Sequence, residues 1–317
     1  MKSIRRAVID VGTNSIKLLV ADVAGRDVQP VHEESRQTRL GRGFYETRRL
    51  QPDAIARTAE AVAEFAKTAR ENKAVSVRVI ATSAARDAVN PGDLTSAIER
   101  TSDLKVEIIS GEREAEWVFQ GVTIPHFRTE LAKTPLLLLD VGGGSTEFIL
   151  GQGEHKQFAR SFPLGTIRLM EKFPHSDPPT RGEFTACRDW IKKFLQTEVR
   201  PKLEPALLRE SGSKHGPIQI VGTGGTTSIL ARIESKLDRY DRERIEATRL
   251  SVAQVQKLRW RLWSLPLAER KEIVGLPRLR ADVILTGVVI YEAVMKEFRF
   301  KHLRISTRGL RFAAVMD

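Results

Sequence analysis

The sequence predicts an α/β fold repeated in two related domains, and three observations carry that expectation. Two segments are built alike: Asp10-Val11-Gly12-Thr13-Asn14-Ser15 follows the apolar run 7–9, and Asp140-Val141-Gly142-Gly143-Gly144-Ser145-Thr146-Glu147 follows the apolar run 136–139. Apolar runs of strand length alternate with segments of helical spacing, as in α/β proteins. The 317 residues suit two domains better than one.

Each of the two segments reads as a buried strand, an Asp at its end, a tight Gly/Ser/Thr turn and a second apolar strand (16–20; 148–150). Glycine lets a turn bring backbone N–H groups close to an anion. An Asp repels that anion and suits a metal ion or a water beside it. An Asp-x-Gly turn alone is common. Three consecutive glycines cost conformational entropy, which the close approach of a ligand or of another backbone would explain. Paired, the hairpins suggest a phosphate clamp with one jaw in each half.

The elements follow in order. Strands are expected over 5–10, 16–23 and 28–39. Pro52 opens a helix over 52–71, whose Ile55, Ala59, Val62, Phe65 and Ala66 share one face. A strand over 75–81, a short helix over 91–100, a strand over 106–109 and a helix over 112–121 come next. The polar stretch 123–134 is the expected domain boundary. The second half repeats the theme with strands over 136–140, 146–151 and 156–162, a helix over 184–195 and a strand over 218–221. Helices over 252–264 and 282–298, a short strand over 303–306 and a last helix after Gly309 complete the chain. The expected domains are 1–122 with 301–317, and 123–300.

A third glycine-rich turn, Gly222-Thr223-Gly224-Gly225-Thr226-Thr227, lies between a strand and a helix expected over 228–233. Small residues before a helix N-terminus suit an anion or a nucleotide, here with Gly224 and Thr226 as binding residues. They equally suit a plain capped turn. The segment has neither the lysine of a P-loop nor the spacing of a dinucleotide fingerprint.

The formal net charge is +12, which attracts polyanions. Aromatic residues make up 6% of the chain and do not interleave with the basic ones, so specific nucleic-acid binding is not expected. Basic groups at Arg239, Arg242, Arg244 and Arg249, and at Arg259, Arg261, Arg270 and Lys271, read either as solvated surface or as anion sites. The single cysteine, Cys187, excludes an internal disulfide and fits a helix core in a reducing cytoplasm. No apolar stretch is long enough to cross a bilayer, no signal peptide is read at the start, and no membrane partner is expected.

These motifs resemble the actin/sugar-kinase/chaperone-ATPase superfamily and, within it, the exopolyphosphatase and guanosine pentaphosphate phosphohydrolase (Ppx/GppA) family. Further segments support the narrower resemblance: Ala81-Thr82-Ser83-Ala84-Ala85-Arg86-Asp87-Ala88-Val89-Asn90, Ile109-Ser110-Gly111-Glu112-Arg113-Glu114-Ala115, Phe162-Pro163-Leu164-Gly165-Thr166-Ile167-Arg168-Leu169 and Arg280-Ala281-Asp282-Val283-Ile284. The matches are collinear over essentially the whole chain.

The resemblance implies two actin-like (ribonuclease H-like) domains with an interdomain cleft. It implies release of terminal orthophosphate from polyphosphate or guanosine pentaphosphate. The family's catalytic glutamate falls on Glu114, as a general base on water; its neighbouring glutamate falls on Arg113, a departure. Arg86 would pair with a terminal phosphate. Asp140 and Glu147, with Asp10, would hold Mg²⁺ or Mn²⁺. Thr13, Asn14, Ser15, Gly143, Gly144 and Ser145 would cradle phosphates. Read alone, Glu114 is a helix-capping residue and Arg86 a surface charge.

A second departure lies at Ser306-Thr307-Arg308-Gly309-Leu310-Arg311-Phe312, where the family's acidic positions are lost. A homodimer is an expected assembly. A kinase using ATP at 222–227 and a non-catalytic guanosine polyphosphate sensor are the competing classes.

Overall fold

The computed structural model describes residues 2–123, 134–211 and 216–317. In chain order the elements are β1 (Ile4–Val11), β2 (Ser15–Ala24), β3 (Asp27–Gln37), α1 (Phe44–Thr47), α2 (Pro52–Glu71), β4 (Ser76–Ala81), α3 (Ser83–Asp87), α4 (Pro91–Ser102), β5 (Val106–Ile108) and α5 (Gly111–Thr123). The second series is β6 (Leu136–Val141), β7 (Thr146–Gln152), β8 (His155–Phe162), α6 (Thr166–Lys172), α7 (Arg181–Phe194), a π-turn (Leu195–Val199), α8 (Arg200–Ser211), β9 (Gln219–Thr223) and α9 (Gly224–Glu234). It continues with α10 (Arg242–Ala247), β10 (Arg249–Ser251), α11 (Val252–Ser264), α12 (Leu267–Arg270), α13 (Ile284–Glu297) and β11 (His302–Ile305), and α14 (Leu310–Ala314) closes the chain.

The two sheets share one topology. The first runs β3-β2-β1-β4-β5, and the second β8-β7-β6-β9-β11 with β10 added at its edge. In each, three antiparallel strands form a meander and the next two join parallel to the first. This repeated order is the ribonuclease H-like arrangement that the resemblance implies.

Each hairpin strand is a continuous apolar run because both faces are covered. In β1 and β2, Ala7, Ile9, Val11, Ile16, Leu18 and Val20 pack with Ile55, Val62 and Phe65 of α2. The alternate residues Val8 and Leu19 are also fully buried. The second core gathers Leu137, Leu139, Phe148 and Leu150 with Ile191 of α7 and Tyr291 of α13. Cys187 is buried in that core, and burial pushes its thiol up to about 12, as a core residue should behave.

The chain divides into two compact units, one closing with residues 308–317 and the other with residue 307. The division differs from the expected boundary at 300/301, because β11 (302–305) pairs with β9 and β10 in the second sheet. Only the segment from Arg308 onward returns to the first unit, where Arg311 Nη1 donates to Leu18 O at 2.6 Å. The expected boundary stretch 123–134 lies, but for its two ends, outside the described residues.

Two smaller expectations are corrected. Helix α9 starts at Gly224 rather than at 228, because Gly224 at φ +85° turns the chain straight from strand into helix. The group around Arg270 is solvated surface only in part: Arg261 and Lys271 are exposed, whereas Arg270 is 1% exposed near Asp177 and Arg259 lies on Glu292 at 2.9 Å.

Candidate active site

The first hairpin turn is fixed through its carbonyls. Gly41 N donates to Thr13 O at 2.7 Å and Arg39 N donates to Asn14 O at 3.0 Å. In a trans peptide N–H points opposite to C=O, so the amides of Asn14 and Ser15 are turned away from this loop. Asn14 Oδ1 accepts from Gln37 Nε2 at 3.1 Å, which orients the side-chain amide. Asn14 Nδ2, Ser15 Oγ, Ser83 Oγ and Asp10 Oδ1 are buried with no hydrogen-bond partner among the described residues. Buried polar atoms are nearly always satisfied, so a cluster of exceptions at the ends of β1 and β4 marks a place for a ligand. Burial raises the Asp10 carboxyl above its ordinary value, with Lys17 and Arg311 pulling it back down.

Helix α5 carries the expected base. Ser110 caps it, its Oγ accepting from Arg113 N at 3.2 Å and its O from Glu114 N at 3.0 Å. Of the three residues Glu112, Arg113 and Glu114, only Glu114 is buried. Arg86, at the end of α3, donates from Nη1 to Glu114 Oε2 at 2.9 Å and to Ile109 O at 3.1 Å. Arg113 turns outward: it pairs with Asp317 at 2.5 Å and stacks over Trp117 at 4.6 Å. The departure at 113 therefore serves packing in the first unit.

The second hairpin repeats the first in different materials. The N-terminus of α6 supplies the donors: Thr166 N to Gly142 O at 3.0 Å, Ile167 N to Gly143 O at 2.8 Å, and Arg168 Nε to Gly144 O at 2.9 Å. Peptide planarity then turns the amides of Gly143, Gly144 and Ser145 the other way. A Cβ on Gly165 would stand 2.4 Å from Gly143 O, so the close approach of α6 requires glycine there.

The two hairpins differ in charge. Asp10 faces Lys17 across β1 and β2, whereas Asp140 faces Glu147 across β6 and β7. Like charges directly opposite on paired strands are destabilising. Glu147 is 1% exposed, and its Oε1 accepts from Ser145 Oγ at 2.8 Å and Ser161 Oγ at 2.7 Å. Asp140 Oδ1 lies against the start of α9, 2.4 Å from where a Cβ on Gly224 would stand. Arg280 Nη2 comes within 3.2 Å of the corresponding position on Gly225. Thr226 is buried in the first turn of α9, where its methyl would stand 2.6 Å from a Cβ on Gly287 of α13.

The donor set bears on the metal expectation. Among the described residues no three His, Cys, Asp or Glu side chains group as a metal site. A magnesium ion commonly takes one or two carboxylates and completes its shell with water and substrate phosphate. The facing pair Asp140 and Glu147 fits that lesser demand, as does the orphaned oxygen of Asp10.

The structure brings Asp10, Thr13, Asn14, Ser15, Arg86 and Glu114 to the first unit, and Asp140, Gly143, Gly144, Ser145, Glu147, Gly224 and Thr226 to the second. The sequence assigns no role to Ser83, Arg168 or Arg280. Each stands in a segment quoted for the resemblance, and Ser83 and Arg168 open helices just beyond a strand or turn.

Comparison with known proteins defines the class first. The crystal structure of an exopolyphosphatase-like protein matches with a TM-score of 0.87 at 28% identity, covering 99% of this chain and 98% of that one. An exopolyphosphatase from Cytophaga hutchinsonii matches at 0.83 with 28% identity, over 98% and 96% of the two chains. Exopolyphosphatase 2 of Mycobacterium tuberculosis is 37% identical over 314 residues, 93% of this chain and 91% of its own. Residues 19–316 match the Ppx/GppA phosphatase family, and the chain belongs to it. Among the described residues no helix is long and apolar enough to cross a membrane.

Proposed function

We propose that the chain hydrolyses phosphoanhydrides, releasing orthophosphate from the end of inorganic polyphosphate. The observation that carries this reading is the cluster of buried, unpartnered donors at the first hairpin beside the Arg86–Glu114 pair. Anion donors next to a buried carboxylate suit a phosphate and the water that attacks it. The relative from M. tuberculosis, an exopolyphosphatase by name, supports the choice of substrate.

In this mechanism Asn14 Nδ2, Ser15 Oγ and the outward amides of Asn14 and Ser15 bind phosphate oxygens, and the outward amides of Gly143, Gly144 and Ser145 are donors of the same kind in the second unit. Arg86 carries positive charge to the terminal phosphoryl group. Glu114 accepts a proton from water as the water oxygen bonds to phosphorus, and the bridging P–O bond breaks to leave the shortened chain. Asp140 and Glu147 would hold a divalent ion, which when bound offsets charge on the phosphoryl oxygens, and Asp10 would hold an ion or its water in the first unit. The net charge of +12 draws in a polyanion. The single, buried cysteine suits a reducing cytoplasm.

Phosphate release from long polyphosphate, tripolyphosphate, guanosine pentaphosphate and ATP, measured side by side, tests the reading. Release fastest from polyphosphate is expected. Preference for guanosine pentaphosphate would move the substrate to the nucleotide. Transfer from ATP to an acceptor, or binding without release, would overturn hydrolysis.

A further inference from the structure

A groove of about 710 Å³ lies on the second unit between α7 and α11, apart from the residues assigned above. Its lining includes Arg181, Arg188 and Arg259 with Phe184, Trp260 and Trp263, and no acidic residue. Two features give it the character of a binding site.

The first is an uncovered aromatic surface. The chain has four tryptophans, and Trp260 is 66% exposed while Trp117 and Trp263 are 1% and 6% exposed. An exposed indole on a helix that buries Val255, Leu258, Leu262 and Trp263 leaves a flat face for stacking. Behind it the floor is rigid: Phe184 meets Trp263 edge-on at 5.3 Å, and Arg259 lies over Phe184 at 4.6 Å.

The second is positive charge held in place. Arg259 is fixed by Glu292 and Arg188 by Asp189 at 2.8 Å, both outside the groove's lining. Arg181 is exposed at the first position of α7 and makes no ion pair among the described residues. The start of α7 is firmly anchored by Thr180, which forms a capping box with Glu183. Backbone amides of Thr180 and Ser176 bring the Glu183 carboxyl down to about 2.

We propose that this groove is a second binding site, for a nucleoside diphosphate or triphosphate, with the base stacked on Trp260 and the phosphates on Arg181 and Arg188. An arginine-lined groove with an open aromatic face matches a ligand that is planar at one end and anionic at the other. Inorganic polyphosphate lacks the planar end, so the site distinguishes the two.

The test uses the full chain with EDTA present to stop turnover. GDP and ADP are titrated by calorimetry and by tryptophan fluorescence, with guanosine and tripolyphosphate as controls. Saturable binding of the nucleotides is expected, with guanosine and tripolyphosphate at least tenfold weaker in quenching Trp260. Arg181→Ala and Trp260→Ala should each weaken nucleotide binding tenfold or more while leaving phosphate release from tripolyphosphate unchanged. Nucleotide affinity unaltered in both variants would overturn the proposal. So would equal quenching by tripolyphosphate, or a groove that binds acidic peptides and not nucleotides.

Discussion

Arg86 Nη1 donates to Glu114 Oε2 at 2.9 Å, so the expected base and the expected phosphate ligand hold each other. A phosphate arriving at Arg86 competes with Glu114 for the same guanidinium. The guanidinium can keep its fork on both only by swinging between them, and its second bond to Ile109 O limits that swing.

Glu114→Gln keeps the shape and the hydrogen-bond acceptor but removes the proton acceptor. Phosphate release should fall roughly 10²- to 10⁴-fold, the usual contribution of a general base. Circular dichroism and the melting curve should match those of the parent chain. Full activity would remove Glu114 from the reaction.

Arg86→Ala should act on both substrate and stability. It leaves a nearly buried carboxylate without its cation, which costs about 1–3 kcal/mol. Urea unfolding reads that loss, and a raised KM with lowered kcat reads the lost phosphate contact. Arg86→Lys should recover stability better than activity, because an ammonium lacks the fork.

Asp10 gives a pH signature. Burial raises its folded pKa above the unfolded value, so the folded state binds more protons between the two values. Its contribution to stability is greatest at low pH and is lost as pH rises through the folded pKa. Asp10→Asn should therefore melt above the parent chain at neutral pH, and the gap should close as pH falls toward 4. The same variant should lose phosphate release. A gap that widens on acidification would contradict the assignment of burial as the cause.

Gly165→Ala tests how the second turn is held. Its Cβ would meet Gly143 O at 2.4 Å, so the turn or α6 must move. Loss of stability together with at least tenfold weaker activity is expected. Gly92→Ala meets nothing within 4 Å and is the control.

Asp140 and Glu147 face each other across paired strands, and two like charges so placed favour a divalent cation beside them. Glu147→Gln should raise the Mg²⁺ concentration for half-maximal release tenfold or more and weaken Mn²⁺ binding followed by electron paramagnetic resonance. Asp140→Asn should do the same while melting no lower than the parent chain without metal. Unchanged Mn²⁺ affinity in both variants would move the metal elsewhere.

Much of this was legible because it depends on local signals. An apolar run, an Asp and a glycine turn are contiguous, so both hairpins could be read directly. Read alone, Glu114 is a helix-capping residue, and its burial beside exposed Glu112 and Arg113 is seen only in the structure. Partners distant in sequence left no such mark. Nothing near Gly41 or Arg39 announces that their amides hold the Thr13 and Asn14 carbonyls. The four residues of β11 could extend either sheet, and only pairing with β9 and β10 decides. Arg270 reads as one basic residue among several, yet it is buried, because sequence shows charge and not depth.

The close crossing of α5 and α14 has a consequence for how the chain folds. A Cβ on Gly121 would stand 2.0 Å from Gly309 O, so these two backbones touch without side chains between them. The first unit thus waits for the last ten residues, while the second has every strand of its sheet by residue 305. Closing the first unit therefore needs a contact between segments separated by the whole of the second unit, whereas the second unit is drawn from one continuous stretch of chain.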